Sequence, residues 1–284
     1  MPAWSLLLFT LIVQACVGAL VWSEFLHLSV AGHKRLAPPD TIRSTTMMGI
    51  TIGIAVAVLI SILHLGSPIK AVFVLNNLGT SWLSREIFLL ILFGGGVALA
   101  TVMWRRGWGS ETSRIFIGRM SAVLGLVLVY VMAQLYMLPT TPGWNTIATP
   151  TSFFSASIVL GGCVVLASML HPKSASLSRE NARVVVVWAL MICLGVEIVL
   201  TPLQAGVLYD HPMLVERSDG FAVLNVLLGL RVLSVAIALG CLIKLLTGST
   251  ERHRRWLFTT IVLVLFAEIL GRYIFYTYYY RIGV

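Results

Sequence analysis

The chain has 284 residues, of which 58% are hydrophobic and only 11% are charged. Soluble domains carry about 25% charged residues, so this composition, with a mean hydropathy of +0.94, excludes a soluble protein and indicates an integral membrane protein. The net charge of +9 does not indicate a nucleic-acid partner, because the basic residues form short clusters between apolar runs, which is the pattern of membrane topology.

Continuous apolar runs predict an all-α integral membrane fold. A helix needs about 20 apolar residues to cross the hydrocarbon, whereas barrel strands alternate in polarity. No loop is long enough to form a separate domain, so we expect a single transmembrane bundle over 1–284. The eight predicted spans are 5–27, 44–64, 83–104, 115–138, 150–170, 183–203, 222–246 and 256–278.

The basic residues also predict the orientation of the bundle. Fourteen of the 20 Lys and Arg residues fall in the alternate loops 31–46, 105–119, 171–183 and 244–255. Cytoplasmic loops are enriched in Lys and Arg, so these loops are expected in the cytoplasm. Both termini are then expected on the periplasmic side of a bacterial inner membrane.

Cysteine and histidine patterns argue against a metal or haem in this chain. The four cysteines lie inside apolar runs and form no CxxC pair, which favours small core residues. No HExxH motif is present. A b-type haem needs two axial ligands at similar depth, and the two histidines in predicted spans, His27 and His64, lie at opposite faces.

Charged and polar residues inside the predicted spans are unevenly distributed. A charge at mid-bilayer costs about 2.5–3.5 kcal/mol on insertion scales, and such residues usually face a bundle interior. One acid, Glu24, is expected at the cytoplasmic end of the first span, where it can reach the interface. The others are all expected in the outer half and predict a polar pocket there: His64, Glu86, Glu197, Arg231, Glu268 and Arg272.

A purely structural role remains an alternative for several of these residues. Glu268 and Arg272 are four residues apart in the acid-first order that favours pairing on a helix. Arg231 and Glu268 have matched depths on neighbouring helices, so they are candidates for an ion pair. Glu197 is the weaker candidate for a site.

His64 and Glu86 are the best candidates for proton chemistry. Histidine changes charge near neutral pH, and a His/carboxylate couple can take protons from a bound hydroxyl. Gly66 lets the backbone leave the helix and Pro68 stops it returning, while Ser67 adds a hydrogen-bonding group. The alternative is that His64 only makes its hydrogen bonds at the membrane interface and takes no part in proton chemistry.

Three segments resemble the membrane-anchor subunits of bacterial dimethyl sulfoxide reductases. They are LHLGSPIKAVFVLNNLGTSWLSREI (63–87), GLRVLSVAIALGCL (229–242) and AEILGRYIFY (267–276). The resemblance extends over nearly the whole chain, including the eight-span layout. The loop 204–221 departs from the family beyond Gln204, which puts the identity of a docking partner in question.

The resemblance implies a subunit without a prosthetic group that oxidises menaquinol. Its electrons pass to an iron–sulfur subunit and on to a molybdopterin catalytic subunit that reduces a terminal acceptor. By the same resemblance His64 and Glu86 belong to the quinol site. The quinol pocket expected here consists of His64, Gly66, Ser67, Glu86, Arg231, Glu268 and Arg272.

Other functions stay open at this point. A quinol-interacting subunit of the polysulfide-reductase type has the same number of spans. A proton-coupled transporter also uses buried His, Glu and Arg, although transporters tend to have helices broken near the midplane. An anchor that uses its polar pocket only for packing is a third possibility.

Overall fold

The computed structural model describes residues 4–30, 40–62, 75–169, 177–209, 218–247 and 250–277. Within these ranges the chain forms α-helices, one short 3₁₀ turn at Leu75–Asn77, and no strand. The helices are α1 (Trp4–Val30), α2 (Asp40–Ile62), α3 (Trp82–Arg106), α4 (Glu111–Gln134), α5 (Ala148–Met169), α6 (Leu177–Tyr209), α7 (Ser218–Thr247) and α8 (Thr250–Thr277).

The all-helical membrane fold expected from the composition is confirmed. Seven of the described helices are long and apolar enough to cross a membrane, and α2 has a shorter apolar stretch, Thr46–Ile62. Helix α6 is longer than the apolar run 183–203 that predicted it and continues past Pro202. Hydropathy marks only the part of a helix suited to hydrocarbon, so it underestimates helices whose ends are polar.

Helix α1 lies in the middle of the packing. It contacts α2, α4, α5 and α8, and its buried side chains include Val13, Val17 and Leu20. Its approach to α5 is closest at Gly18, where an added Cβ would overlap the carbonyl oxygen of Ser157. Small residues at a crossing let two helix backbones approach closely in a membrane.

Side-chain contacts bring the starts of α1 and α5 and the ends of α4 and α8 to the same end of the packed helices. Trp4, at the start of α1, stacks on Tyr273 near the end of α8. Tyr136, just after α4, shares a 2.9 Å hydrogen bond with Tyr276 of α8. Trp144, just before α5, donates a 2.8 Å hydrogen bond to the carbonyl of Phe275. We call this end of the helices the aromatic end.

The N-terminus of α3 is fixed locally. Ser81 caps the helix by accepting a hydrogen bond of 3.3 Å from the backbone N–H of Ser84, the usual role of serine at this position. Arg85 donates to the carbonyl of Leu78 at 2.9 Å and so holds the preceding turn. Glu86 is therefore placed one turn inside α3 by a defined helix start.

The close crossing of α1 and α5 is directly testable. We expect Gly18→Ala to lower the free energy of unfolding of the detergent-solubilised protein by roughly 1–3 kcal/mol, the usual cost of overpacking. The reason is that the new methyl group overlaps the α5 backbone. Gly240→Ala on α7 is the matched control, since a Cβ there meets nothing within 4 Å. Equal melting temperatures for the two variants would contradict this account of the packing.

Candidate functional site

Glu86 forms part of the wall of an apolar groove of about 530 Å³. The residue is buried, with 6% of its surface exposed. Small-molecule pockets in proteins typically measure ~300–1,000 Å³. The groove lies between α1, α2 and α3, and its lining residues are Leu6, Phe9, Ile54, Val58, Ser61, Ile62, Leu83, Glu86, Ile87, Leu90, Ile91, Gly94, Gly95 and Leu135.

The groove opens on the apolar surface of the protein. Its rim includes the exposed side chains of Val58, Ile62, Leu83 and Ile91. In a membrane protein such a surface faces lipid, so a hydrophobic molecule can reach the groove sideways from the bilayer. Glu86 is the one ionisable residue among the lining residues.

Glu86 makes no ion pair with any residue in the described ranges. Buried charges in proteins are usually paired with an opposite charge or a metal. A buried carboxyl group without a cationic partner in this part of the chain, set in an apolar wall, is the arrangement expected of a group that exchanges a proton with a ligand.

The predicted site residues His64, Gly66 and Ser67 lie outside the described residues. The last described residue of α2, Ile62, lines the groove together with Glu86. Ile62 precedes His64 by two residues in the sequence. The pairing of His64 with Glu86 stays a prediction.

A second set of buried ionisable residues, the charge cluster, consists of Glu197, Arg231, Glu268 and Arg272. The Arg231 guanidinium is 3.4 Å from a carboxylate oxygen of Glu197, whose other oxygen accepts a 2.6 Å hydrogen bond from Ser155. Glu268 interacts with Glu197 and with both arginines. The charge cluster joins α5, α6, α7 and α8 and contributes no residue to the groove wall described above.

Arg272 contacts two neutral side chains in addition to its electrostatic interaction with Glu268. Its guanidinium donates a 3.1 Å hydrogen bond to the side-chain oxygen of Gln14 on α1. It also lies 3.9 Å from the centre of the Phe153 ring, a distance at which a cation is attracted by the ring face. These contacts connect the charge cluster to α1 and α5.

Gly271 makes room for Arg231. A Cβ at residue 271 would lie 2.8 Å from Nε of Arg231, so the guanidinium rests on the backbone of α8. That Nε, the amide nitrogen of Gln14 and one carboxyl oxygen of Glu268 have no hydrogen-bond partner among the described residues. Buried polar atoms normally have hydrogen-bond partners, so these three atoms are exceptions among the buried polar atoms of the described residues.

Two tyrosines connect the groove with the charge cluster. The Tyr136 and Tyr276 hydroxyls are 2.9 Å apart, and both rings are buried. Glu86 and Arg272 both interact electrostatically with Tyr136. The tyrosine pair therefore lies near both Glu86 of the groove and Arg272 of the charge cluster.

Two interpretations from the sequence need revision. The direct ion pair of Arg231 is formed with Glu197, the residue ranked as the weaker candidate, whereas the matched depths had favoured Glu268. Glu24 does not reach an interface but is buried, 4% exposed, with its carboxylate against α4 where a Cβ at Gly118 would lie 2.7 Å away. Depth along a helix does not reveal which way a side chain points.

Several partners were not identified from the sequence. Gln14, Ser155 and the two tyrosines are polar residues of ordinary type in apolar runs, and they become notable only beside the arginines. Within the described ranges no three His, Cys, Asp or Glu residues are grouped so that they could hold a metal ion.

The pair of Arg231 and Glu197 gives a prediction about stability. Removing one partner of a buried ion pair costs about 3–5 kcal/mol because the other charge is left uncompensated. We expect Arg231→Met and Glu197→Gln each to lower the melting temperature clearly, and the double variant to lose less than the sum. Additive losses in this double-mutant cycle would show that the two residues do not act as a pair.

Comparison with known proteins agrees with this structure. Residues 1–278 match the model of the family described as "DMSO reductase anchor subunit (DmsC)". The anaerobic dimethyl sulfoxide reductase subunit YnfH of Escherichia coli K12 is 29% identical over 291 residues, covering 99% of this chain and 96% of the relative. The C subunit of the anaerobic dimethyl sulfoxide reductase of the same organism is 26% identical over 285 residues, with the same coverage of both.

A third relative covers less of the chain. The C subunit of the anaerobic dimethyl sulfoxide reductase of Haemophilus influenzae is 30% identical over 172 residues, which are 59% of this chain and 58% of the relative. Because the family model matches nearly the whole length, and the described residues form the expected helical membrane fold, this chain belongs to the family of dimethyl sulfoxide reductase anchor subunits.

Proposed function

We propose that this anchor subunit oxidises menaquinol at the groove beside Glu86 and passes the electrons to an iron–sulfur partner subunit. The observation that carries the proposal is a buried carboxyl group without a cationic partner among the described residues, in the wall of a groove open to lipid. Quinols are hydrophobic molecules that carry two ionisable hydroxyls. Such a groove offers an apolar wall for the ring and a proton acceptor for a hydroxyl.

The chemistry assigned to this chain is binding and proton transfer. Oxidation of one quinol releases two protons and two electrons. In the proposed site His64 accepts a quinol proton, and Glu86 stabilises the resulting imidazolium or relays the proton outward. Gly66 and Ser67 are assigned to the same pocket because they follow His64 directly in the sequence.

The partner subunits are assigned from the family. An iron–sulfur electron-transfer subunit receives the electrons, and a molybdopterin catalytic subunit reduces the terminal acceptor; both cofactors reside in those subunits. The names of the relatives point to dimethyl sulfoxide as an acceptor of their complexes.

Arg231, Glu268 and Arg272 are proposed to polarise the quinol pocket although they do not line the groove. The support is that Glu86 and Arg272 both lie near enough to Tyr136 to interact with it electrostatically. In this arrangement the arginines act through the tyrosine pair. Arg272 is held by Gln14 and by the Phe153 ring, and its positive charge would favour loss of a proton from a bound quinol.

We further propose that the chain crosses the bacterial inner membrane eight times as one bundle over residues 1–284, with both termini in the periplasm. The support is the meeting of the starts of α1 and α5 with the ends of α4 and α8 at the aromatic end, together with the distribution of Lys and Arg in the sequence. The groove then lies in the outer half of the membrane.

The quinol site is tested by Glu86→Gln in the assembled complex. We expect turnover with a menaquinol analogue to fall at least about 100-fold, the usual contribution of a positioned acid–base group. Turnover with an artificial reductant that donates directly to the partner subunits should be unchanged. His64→Ala is expected to behave in the same way.

Glu24→Gln is the matched control, because Glu24 is an equally buried glutamate that lies away from the groove. It should keep full quinol turnover. Normal quinol turnover in Glu86→Gln would refute the proposed site. If the chain binds no partner and moves protons across a vesicle membrane, the transporter interpretation is favoured. If its partner reduces polysulfide, the chain acts like the quinol-interacting subunits of the polysulfide-reductase type.

The topology is tested with a periplasmic reporter. Alkaline phosphatase is active only after export, so fusions at residue 284 and in the loop 135–147 are both expected to be active. A fusion in the loop 107–110 should be inactive. An active fusion in the loop 135–147 combined with an inactive fusion at residue 284 would mean an odd number of spans after residue 147, which would contradict the eight-span layout.

A further inference from the structure

The groove extends well beyond Glu86 along α3. Glu86 lies near the start of this helix, and the lining continues through Leu90 and Ile91 to Gly94 and Gly95. Nine residues of α-helix correspond to about 13 Å at a rise of 1.5 Å per residue. The groove is therefore longer than a quinone ring requires.

The two ends of the groove differ in polarity. The end near Glu86 also includes Ser61, the other polar residue of the lining, whereas the end at Gly94 and Gly95 is entirely apolar. A ligand with a polar head and an apolar tail can satisfy both ends in only one direction. The polar head has to lie at Glu86.

The glycines form the floor of the apolar end. A Cβ at Gly94 would lie 3.1 Å from a methyl group of Ile54 on α2, so this glycine lets α2 and α3 pass closely. A Cβ at Gly95 would meet nothing within 4 Å, so the space beside Gly95 is open. A helix glycine bordered by open space is not needed for packing and costs helix stability relative to alanine.

From these observations we propose that the open space beside Gly95 holds the start of the isoprenoid tail of the quinol, so that Gly95 determines selectivity for tailed quinols. This inference rests on the proposed function and extends it from the ring to the tail. The tail is already in hydrocarbon before it binds. Its gain in the groove therefore comes from close packing rather than from leaving water, and a side chain in the groove should remove that gain.

The test compares two quinols with the same naphthalene ring in the assembled complex. One is a menaquinol with an isoprenoid tail, and the other is menadiol, which has none. We expect Gly95→Leu to raise KM for the tailed quinol about tenfold, the scale at which hydrophobic pockets discriminate by small groups. The value of kcat for both quinols and KM for menadiol should stay unchanged.

The control variant is Gly240→Leu on α7. Gly240 also has no atom within 4 Å of an added Cβ and lies outside the groove, so both KM values should stay at the level of the unmodified protein. Because neither added Cβ collides with a neighbour, both variants are expected to fold and assemble.

Two outcomes would overturn the inference. An unchanged KM for the tailed quinol in Gly95→Leu would mean that the tail lies elsewhere. An equal rise for both quinols would mean that residue 95 affects the ring and not the tail. Failure of the proposed function is recognised separately, because Glu86→Gln would then oxidise menadiol normally.

Discussion

The structure depends on one constraint, which is that an ionised side chain cannot face hydrocarbon without a large cost. The charge cluster of α6, α7 and α8 meets this constraint because its acids and arginines lie close together inside the protein. Glu197 pairs with Arg231, and Arg272 rests on Gln14 and Phe153. Two acids and two arginines together can be close to neutral, and all four are buried. Glu86 is accommodated differently, because it sits in a groove wall without an ion-pair partner in the described ranges.

Helix α1 makes both arrangements possible. It has no charged residue along its first five turns, and Gly18 lets it approach α5 to backbone contact. That position brings Gln14 to Arg272 on one side of the helix. On another side Leu6 and Phe9 form a wall of the groove. A wider spacing of α1 and α5 would move both contacts at once, so the charge cluster and the groove share one structural support.

The fold was largely predictable from the sequence and the site only in part. Long apolar runs can form little else in a membrane, so each helix could be located, although polar ends such as that of α6 could not. Of the residues considered by depth, Glu86 lies near the start of α3 and Arg272 near the end of α8. Rotation about each helix axis could not be read from depth. That is why the direct ion pair of Arg231 with Glu197, the burial of Glu24 and the groove itself were not foreseen.

The separation between the groove and the charge cluster bears on function. A closed set of paired charges exchanges protons poorly, since each proton moved would leave a buried charge unpaired. A carboxyl group beside an open groove has no such restriction. If the buried acids served only to pack the helices, nothing would favour placing one of them in an apolar wall reached from lipid. Among the buried acids of the described residues, Glu86 is therefore a better candidate for proton exchange than the paired Glu197.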